Sequence, residues 1–143
     1  MDIRSLEISQ IKELKILSDV RIIERRDLNP RYSKENLHVQ FIVTGDLKGI
    51  INCYLCLDGY ELTTSEKNYI FPLFVETMNI LIGKQISEDH TFSSLNVLLS
   101  PPKLSMIARE LNTSFKLGMH SYELEVEGQS YSVLSEYLIE AMN

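Results

Sequence analysis

The chain has 143 residues, of which 44% are hydrophobic and 24% charged, and its formal net charge is −6. This length and composition predict a single globular domain over residues 1–143. The acidic balance argues against a nucleic-acid partner, because binding nucleic acid requires concentrated basic surface. No apolar run approaches the ~20 residues of a membrane helix, and the N-terminus lacks the pattern of a signal peptide. We therefore expect a cytoplasmic protein with no membrane partner.

The first part of the chain predicts one helix followed by strands. Ile8, Ile11 and Leu14 recur at helical spacing, whereas the later apolar residues alternate as they do in half-buried strands. The predicted elements are, in chain order, an amphipathic helix over residues 5–17, strands at 20–23 and 37–43, a glycine-bounded turn at 45–49 and a strand at 50–57.

Two cysteines in the last of these strands form a Cys-x-x-Cys pattern, which is typical of zinc or thiol redox sites. Cys53 and Cys56 are separated by an odd number of positions, which places strand side chains on opposite faces of a sheet. Neither thiol could then share a metal with the other. We interpret both as ordinary buried cysteines and expect no metal site in this chain.

A long helix is predicted in the middle of the chain. Thr63 and Glu66 have the spacing of a capping box that starts a helix, and Gly83 is suited to a C-cap after an end near residue 82. Pro72 removes one helical hydrogen bond, so the helix either bends there or begins nearer Asn68. The residues predicted to face the core are Ile70, Leu73, Phe74, Met78 and Leu81.

The last part of the chain predicts mostly strands. Pro101 and Pro102 end a strand and are suited to open a short helix, and the alternation of apolar residues with glutamates predicts another strand further on. The predicted elements are a strand at 95–99, a helix after the prolines with Leu104 on its apolar face, a strand at 122–126, a turn at 127–129, a strand at 130–135, and either strand or helix over 135–142. Strands grouped around one central helix indicate an α+β fold, with helices on a mostly antiparallel sheet.

Glu76 and Asn79 are polar residues in an almost wholly apolar run of the central helix. Positions i and i+3 lie on one face of a helix, so a carboxylate and a carboxamide point the same way between hydrophobic stripes. Such a pair can hold a cation and orient a water molecule. It is the leading candidate site of the sequence.

The surroundings of the pair carry a family resemblance. Twenty-two residues separate Asn79 from Pro102. This resembles the phosphatase signature of the CheC/CheX/FliM family of bacterial chemotaxis proteins, which is an Asp or Ser, three residues, Glu, two residues, Asn, twenty-two residues and Pro. Residues 44–51 also look like the strand–turn–strand lead-in of CheX. The resemblance departs at the first position of the signature, which is Pro72.

The resemblance implies a CheC-like fold, in which long helices pack on one mostly antiparallel sheet. It implies a phosphatase that acts on a CheY-type response regulator phosphorylated on an aspartate. Glu76 would reach the regulator's active-site lysine, and Asn79 would orient the attacking water. The chain would need no cofactor of its own, because the Mg²⁺ belongs to the regulator.

Two alternatives remain open beside the phosphatase. One is a CheX-like module that docks a regulator without hydrolysis, and the other is a structural or dimerising domain of the flagellar-switch sort. Proline at position 72 cannot make the hydrogen bonds of Asp or Ser, which favours weaker activity. We also expect a homodimer, because CheX chains carry one such pair each and because strand 122–126 resembles an exposed sheet edge.

Overall fold

The computed structural model describes residues 8–25, 37–57, 62–89, 92, 94–105 and 116–141. These residues form one antiparallel sheet and one long helix. The elements are β1 Glu13–Leu17, β2 Val20–Arg25, β3 Leu37–Gly45, β4 Leu47–Cys56, α1 Thr64–Glu88, β5 Val97–Leu99, β6 Lys103–Ser105, β7 Lys116–Val126 and β8 Gln129–Ala141.

The strands form an eight-stranded sheet in the order β1-β2-β7-β8-β4-β3-β5, with β6 also paired to β3. Every strand pair among the described residues is antiparallel, and the sheet curls into a half-barrel. The two C-terminal strands, β7 and β8, lie between the hairpin β1–β2 and the hairpin β3–β4. The centre of the sheet is therefore built from contacts that are distant in sequence.

A tight turn joins β7 to β8. Glu127 and Gly128 have φ angles of 49° and 82°, and a type I′ hairpin turn requires such left-handed values at both central positions. The structure confirms the predicted turn at residues 127–129. It also settles the open choice at the C-terminus, because β8 continues as a strand to Ala141.

The core lies between α1 and the inner face of the curled sheet. The inner face is made of alternate strand residues that are at most 3% exposed and form one cluster with the apolar side chains of α1. These inner-face residues include Val20, Ile22, Val39, Phe41, Ile51, Cys53, Tyr122, Leu124, Val133 and Tyr137. Among the described residues, no helix combines the length and the apolar character needed to cross a bilayer.

The expected fold, with long helices packed on one sheet, is wrong. α1 is the one helical element with assigned bounds in the described part of the chain, and strands form the rest of its regular structure. The difference arises where segments with helical spacing pair with the sheet instead.

The helix predicted over residues 5–17 is wrong within the described residues. Residues 13–17 form β1, an edge strand paired with β2. Leu14 and Ile16 are half-buried against the core while Lys15 is exposed. The segment therefore follows the two-residue period of a strand, and pairing with β2 outweighs the helical spacing upstream.

The short helix predicted after Pro101 and Pro102 is wrong at its start. Residues 103–105 form β6 beside β3, and the rest of that prediction lies outside the described residues. Between β5 and β6, Ser100 N donates to Ile42 O at 2.9 Å and Ser100 Oγ accepts from Ile42 N at 2.8 Å. The two prolines, which have no N–H, sit in this irregular part of the edge and blunt it against further pairing.

The strand predicted at residues 122–126 is confirmed within β7, but its predicted place at a sheet edge is wrong. β7 lies between β2 and β8 and pairs with both. An exposed edge at this strand therefore gives no reason for dimerisation, and the homodimer stays a prediction from the family resemblance. The strands predicted at 20–23, 37–43, 50–57 and 95–99 correspond to β2, β3, β4 and β5, with shifted ends.

Candidate functional site

Local sequence determines where α1 begins. Thr63 Oγ1 accepts a hydrogen bond from Glu66 N at 3.1 Å, and Glu66 Oε1 accepts one from Thr63 N at 3.2 Å. This reciprocal capping box, in which the N-cap alone contributes about 1 kcal/mol, confirms the predicted start. The alternative start near Asn68 is wrong, because that residue already lies inside the helix.

Pro72 lies inside α1 and does not end it. Proline has no N–H, so the carbonyl of Asn68 loses its helical donor. Both residues are exposed, which allows water to bond that carbonyl and lets the proline ring project into solvent. The helix therefore continues through the proline to the candidate pair and beyond.

The two faces of α1 have opposite environments. The buried face confirms the predicted core stripe, with Leu73 half-buried at its margin. Glu76 and Asn79 are both exposed, on the face that points away from the sheet. The fully packed members of the core stripe are Ile70, Phe74, Met78 and Leu81, each at most 4% exposed.

Neither side chain of the pair is engaged by the described part of the protein. Glu76 and Asn79 make no hydrogen bond or ion pair with another described residue. Their neighbours on this face of the helix, at spacings of one turn, are Pro72, Ile80 and Gly83, none of which carries a charge. The carboxylate and the carboxamide are both free to bind a partner.

Glu76 and Asn79 line neither of two grooves that the described residues form. One groove is formed around the turn between β1 and β2, where Arg21 bonds Glu13 at 3.1 Å and Glu125 at 2.7 Å. A second lies between the start of α1 and the β7–β8 turn. Neither includes Glu76 or Asn79, so the surface that carries the pair suits a macromolecule better than a small molecule.

Pro102, the proline in the pattern that resembles the family signature, lies at the edge of the sheet. Pro102 is half-buried in the segment between β5 and β6, whereas the pair lies on the outer face of α1. Within the described residues, no hydrogen bond joins Pro102 to Glu76 or Asn79. The structure thus brings the pair together on one helix face and places the proline on a separate element.

The far end of α1 differs from the prediction. Gly83 does not end the helix, which continues to Glu88 and is capped by Asp89, whose N–H donates to Gln85 O at 3.1 Å. Asp89 Oδ2 accepts from Ser9 N at 2.8 Å and from Gln85 Nε2 at 3.1 Å, and Gln85 Nε2 also donates to Ser9 O. These contacts tie the N-terminal segment to the last turn of α1. Sequence reasoning missed them because they join residues about eighty positions apart.

We call the contacts of Ser9, Gln85 and Asp89 the polar clamp. His120, on the inner face of the sheet, contacts the same N-terminal segment at Ile8. Its Nε2 lies 3.0 Å from the Ile8 carbonyl and its Nδ1 lies 3.3 Å from the Tyr122 hydroxyl. A carbonyl can only accept, so Nε2 carries the proton and Nδ1 accepts from the tyrosine. Burial lowers the pKa of His120, against smaller opposing effects from the bond to Ile8 and from the charges of Asp89 and Glu24.

A second buried polar network crosses the opposite face of the sheet. His38 Nε2 lies 2.7 Å from Asn52 Oδ1, and Asn52 Nδ2 donates to Glu136 Oε1 at 3.0 Å. Each of these residues is at most 4% exposed, and Tyr54 stacks on the His38 ring at 4.9 Å. The three polar residues come from neighbouring strands, so no signal in the sequence groups them until the strand pairing is known. Their burial indicates a network that specifies the sheet rather than a reactive site.

The two cysteines behave as the strand pattern predicts. Cys53 and Cys56 lie in β4 and form no disulfide, and both are buried. Burial raises the pKa of the Cys53 thiol well above its ordinary value, which makes the thiol unreactive. Within the described ranges, no group of three or more His, Cys, Asp or Glu side chains is placed to hold a metal ion.

Comparison with known proteins gives a likeness at the level of structure only. No protein-family model and no curated protein matches the chain. The crystal structure of the CheX–CheY–BeF3–Mg²⁺ complex from Borrelia burgdorferi contains a similar chain, with 14% sequence identity, coverage of 97% of this chain and 88% of that chain, and a TM-score of 0.46. This TM-score is too low to establish a common fold. The functional argument therefore rests on the residues of this chain.

Proposed function

We propose that this chain docks a CheY-type response regulator on the outer face of α1 and hydrolyses the phosphoryl group on the regulator's aspartate. One observation carries the proposal: Glu76 and Asn79 are exposed on the same face of a continuous helix, and neither is engaged by another described residue. A polar pair without a structural task, in a stripe that is otherwise mostly uncharged, is typical of a recognition surface. Its spacing to Pro102, which resembles the family signature, supports this particular partner.

Asn79 would supply the hydrolytic contribution. Its carboxamide can accept a hydrogen bond from a water molecule through its oxygen and donate one through its nitrogen. A neutral amide orients that water without bringing a second negative charge close to the phosphoryl oxygens. Holding the water in line lowers the entropic part of the barrier.

The reaction itself is a displacement at phosphorus. The water oxygen forms a bond to phosphorus as the bond between phosphorus and the aspartyl oxygen breaks, and the products are inorganic phosphate and the free aspartate carboxylate. The protons of the water end on phosphate and solvent. Phosphoryl transfer needs positioning and charge stabilisation above all, and the regulator would supply the Mg²⁺ and the lysine for the second of these.

Glu76 would serve mainly in docking. Its carboxylate lies one turn from Asn79 and would pair with the regulator's active-site lysine, which fixes how the helix enters the site. The capped, continuous helix holds the two side chains at a set spacing. Little conformational entropy is therefore lost from the backbone when a partner binds.

Docking without hydrolysis is the second candidate function, and Pro72 is the observation that favours it. Position 72 is exposed one turn before Glu76 and cannot donate a hydrogen bond to hold that carboxylate. If Asp or Ser at this position is needed for catalysis, the chain would bind a regulator and leave its phosphoryl group intact.

The decay of a phosphorylated regulator tests the proposal. A CheY-type regulator from the same genome is phosphorylated in Mg²⁺, freed of excess phosphodonor, and followed by phosphate release with and without this chain. Acceleration that scales with the amount of chain supports hydrolysis. Binding without acceleration supports the second candidate, and the absence of both binding and acceleration contradicts the proposed function.

A further inference from the structure

Gly83 stands in the interior of α1, and the described residues give no structural reason for a glycine there. Glycine in a helix interior is less favourable than alanine by about 1 kcal/mol. The role suggested by the sequence, a C-cap, does not apply, because α1 runs on to Glu88 and is capped by Asp89. A Cβ built on Gly83 would meet no atom of the described residues within 4 Å, so that part of the fold leaves room for a side chain there.

Two other glycines of the described chain show what a structural reason looks like. At Gly49, a Cβ would lie 2.1 Å from the Leu138 carbonyl oxygen of the neighbouring strand. At Gly45, where φ is +104°, it would lie 2.2 Å from the Asn96 carbonyl oxygen. In both places the fold excludes a side chain, whereas at Gly83 nothing in the described structure does.

The position of Gly83 relates it to the candidate pair. It follows Asn79 by four residues and Glu76 by seven, and these spacings place all three on one face of a helix. A partner that contacts Glu76 and Asn79 together therefore extends over Gly83. Because glycine has no side chain, the helix surface has a gap beside Glu76 and Asn79.

We propose that Gly83 is a close-approach position, at which the main chain of the docked regulator lies against the backbone of α1. This inference rests on the proposed function. It adds a residue that sets how closely α1 approaches the active site of the regulator. Asn79 can orient water at the phosphoryl group only if α1 comes close to the rim of the regulator's active site. A Cβ at position 83 would hold the two backbones apart and withdraw Asn79 from that water.

The test compares stability with docking in the same variants. Gly83→Ala and Gly83→Leu are measured for their urea midpoint, and for their affinity for the beryllofluoride-activated regulator in Mg²⁺. Gly83→Ala should unfold at higher urea than the wild type, because alanine is the better helix former. It should nevertheless bind about tenfold more weakly, and Gly83→Leu more weakly still, because overpacking of a fitted contact costs a factor of about ten or more.

The matched control is Asn68→Ala, which raises helix propensity at an exposed site of α1 but adds no atom. It should be stabilised without losing affinity. If both Gly83 variants bind as the wild type does while Glu76→Ala binds weakly, the close-approach role is wrong and the proposed function stands. If the wild type does not bind the regulator at all, the proposed function fails and the role of Gly83 fails with it.

Discussion

A carboxylate and a carboxamide lie together in the middle of α1 and again at its C-terminal cap, and the two pairs have opposite environments. Gln85 and Asp89 are buried at the C-terminal end, at 3% and 8% exposure, and bond each other and the backbone of Ser9. Glu76 and Asn79 are exposed in the middle of the helix and bond no other described residue. The same chemical groups thus serve the fold in one place and remain available in the other.

This contrast shows how a site can be recognised without an alignment of relatives. Buried polar groups are normally paired, because leaving them unpaired is costly. A paired, buried set such as Gln85 and Asp89 is explained by stability. An exposed pair is not needed for this purpose, and its place among uncharged neighbours on a helix is the reason we propose that it binds a partner.

The largest expected effect is a loss of affinity for the regulator when the charge of the exposed pair, Glu76 and Asn79, is removed. Glu76→Ala should weaken binding of the activated regulator by about tenfold to a hundredfold, because it leaves the partner's lysine without its counter-charge in the interface. The urea midpoint should stay within experimental error, since Glu76 supports no other described residue. Isothermal titration and urea unfolding of the same samples measure both quantities.

Glu88→Ala is the control for that change. Glu88 is an exposed carboxylate on the same helix, and its ion pair with Lys84 at 3.2 Å is a surface pair of small energetic value. Equal loss of affinity in Glu76→Ala and Glu88→Ala would mean that general charge, and not the pair, attracts the regulator.

A change in the buried pair, Gln85 and Asp89, should lower the stability of the fold without changing the affinity for the regulator. Asp89→Ala removes the acceptor for Ser9 N and for Gln85, and should lower the free energy of unfolding by about 1–3 kcal/mol. Affinity for the regulator should be unchanged at a temperature where the variant is folded. A stable variant with lost affinity would overturn the division between a structural and a functional pair.

The buried contacts of His120 with Ile8 and Tyr122 should make the free energy of unfolding depend on pH. Burial lowers the pKa of His120 in the folded state below its ordinary value of 6.5, so the unfolded chain binds more protons at acid pH. The stability that depends on neutral His120 is then present above about pH 6.5 and is lost as the pH falls from there toward the lower folded pKa. Urea midpoints at about pH 7.5 and pH 5.5 should differ more in the wild type than in His120→Gln.

The smallest expected effect concerns Pro72. Pro72→Ser restores the N–H for the Asn68 carbonyl and provides a hydroxyl one turn before Glu76. The rate of regulator dephosphorylation should rise modestly or stay the same, and helix stability should not fall. A clear loss of rate in a folded Pro72→Ser variant would show that the proline itself is part of the working surface.

Local signals in the sequence predicted α1 well and its surroundings poorly. The capping box at Thr63 lies within four residues, and the buried stripe repeats along one helix, so both could be read directly. The end of the helix could not, because the contacts that extend it past Gly83 come from Ser9. Likewise Leu14 suggested a helix, while pairing with β2 made a strand.

The same distinction holds for the candidate site. Glu76 and Asn79 could be placed on one face from their spacing, and the structure puts them on the exposed one. The sequence could not show that Pro102 belongs to an irregular sheet edge, since β6 depends on pairing with β3. Nor could it group His38 with Asn52 and Glu136, because the order of the strands decides which residues meet.

The most direct test of the central claim is phosphate release from the phosphorylated regulator with Asn79→Ala beside Asn68→Ala. Both variants remove an exposed carboxamide from α1, but only one of them lies beside Glu76. We predict that Asn79→Ala binds the regulator and fails to accelerate phosphate release, whereas Asn68→Ala accelerates it as the wild type does. Equal acceleration by both variants would contradict the assignment of Asn79 to the reaction.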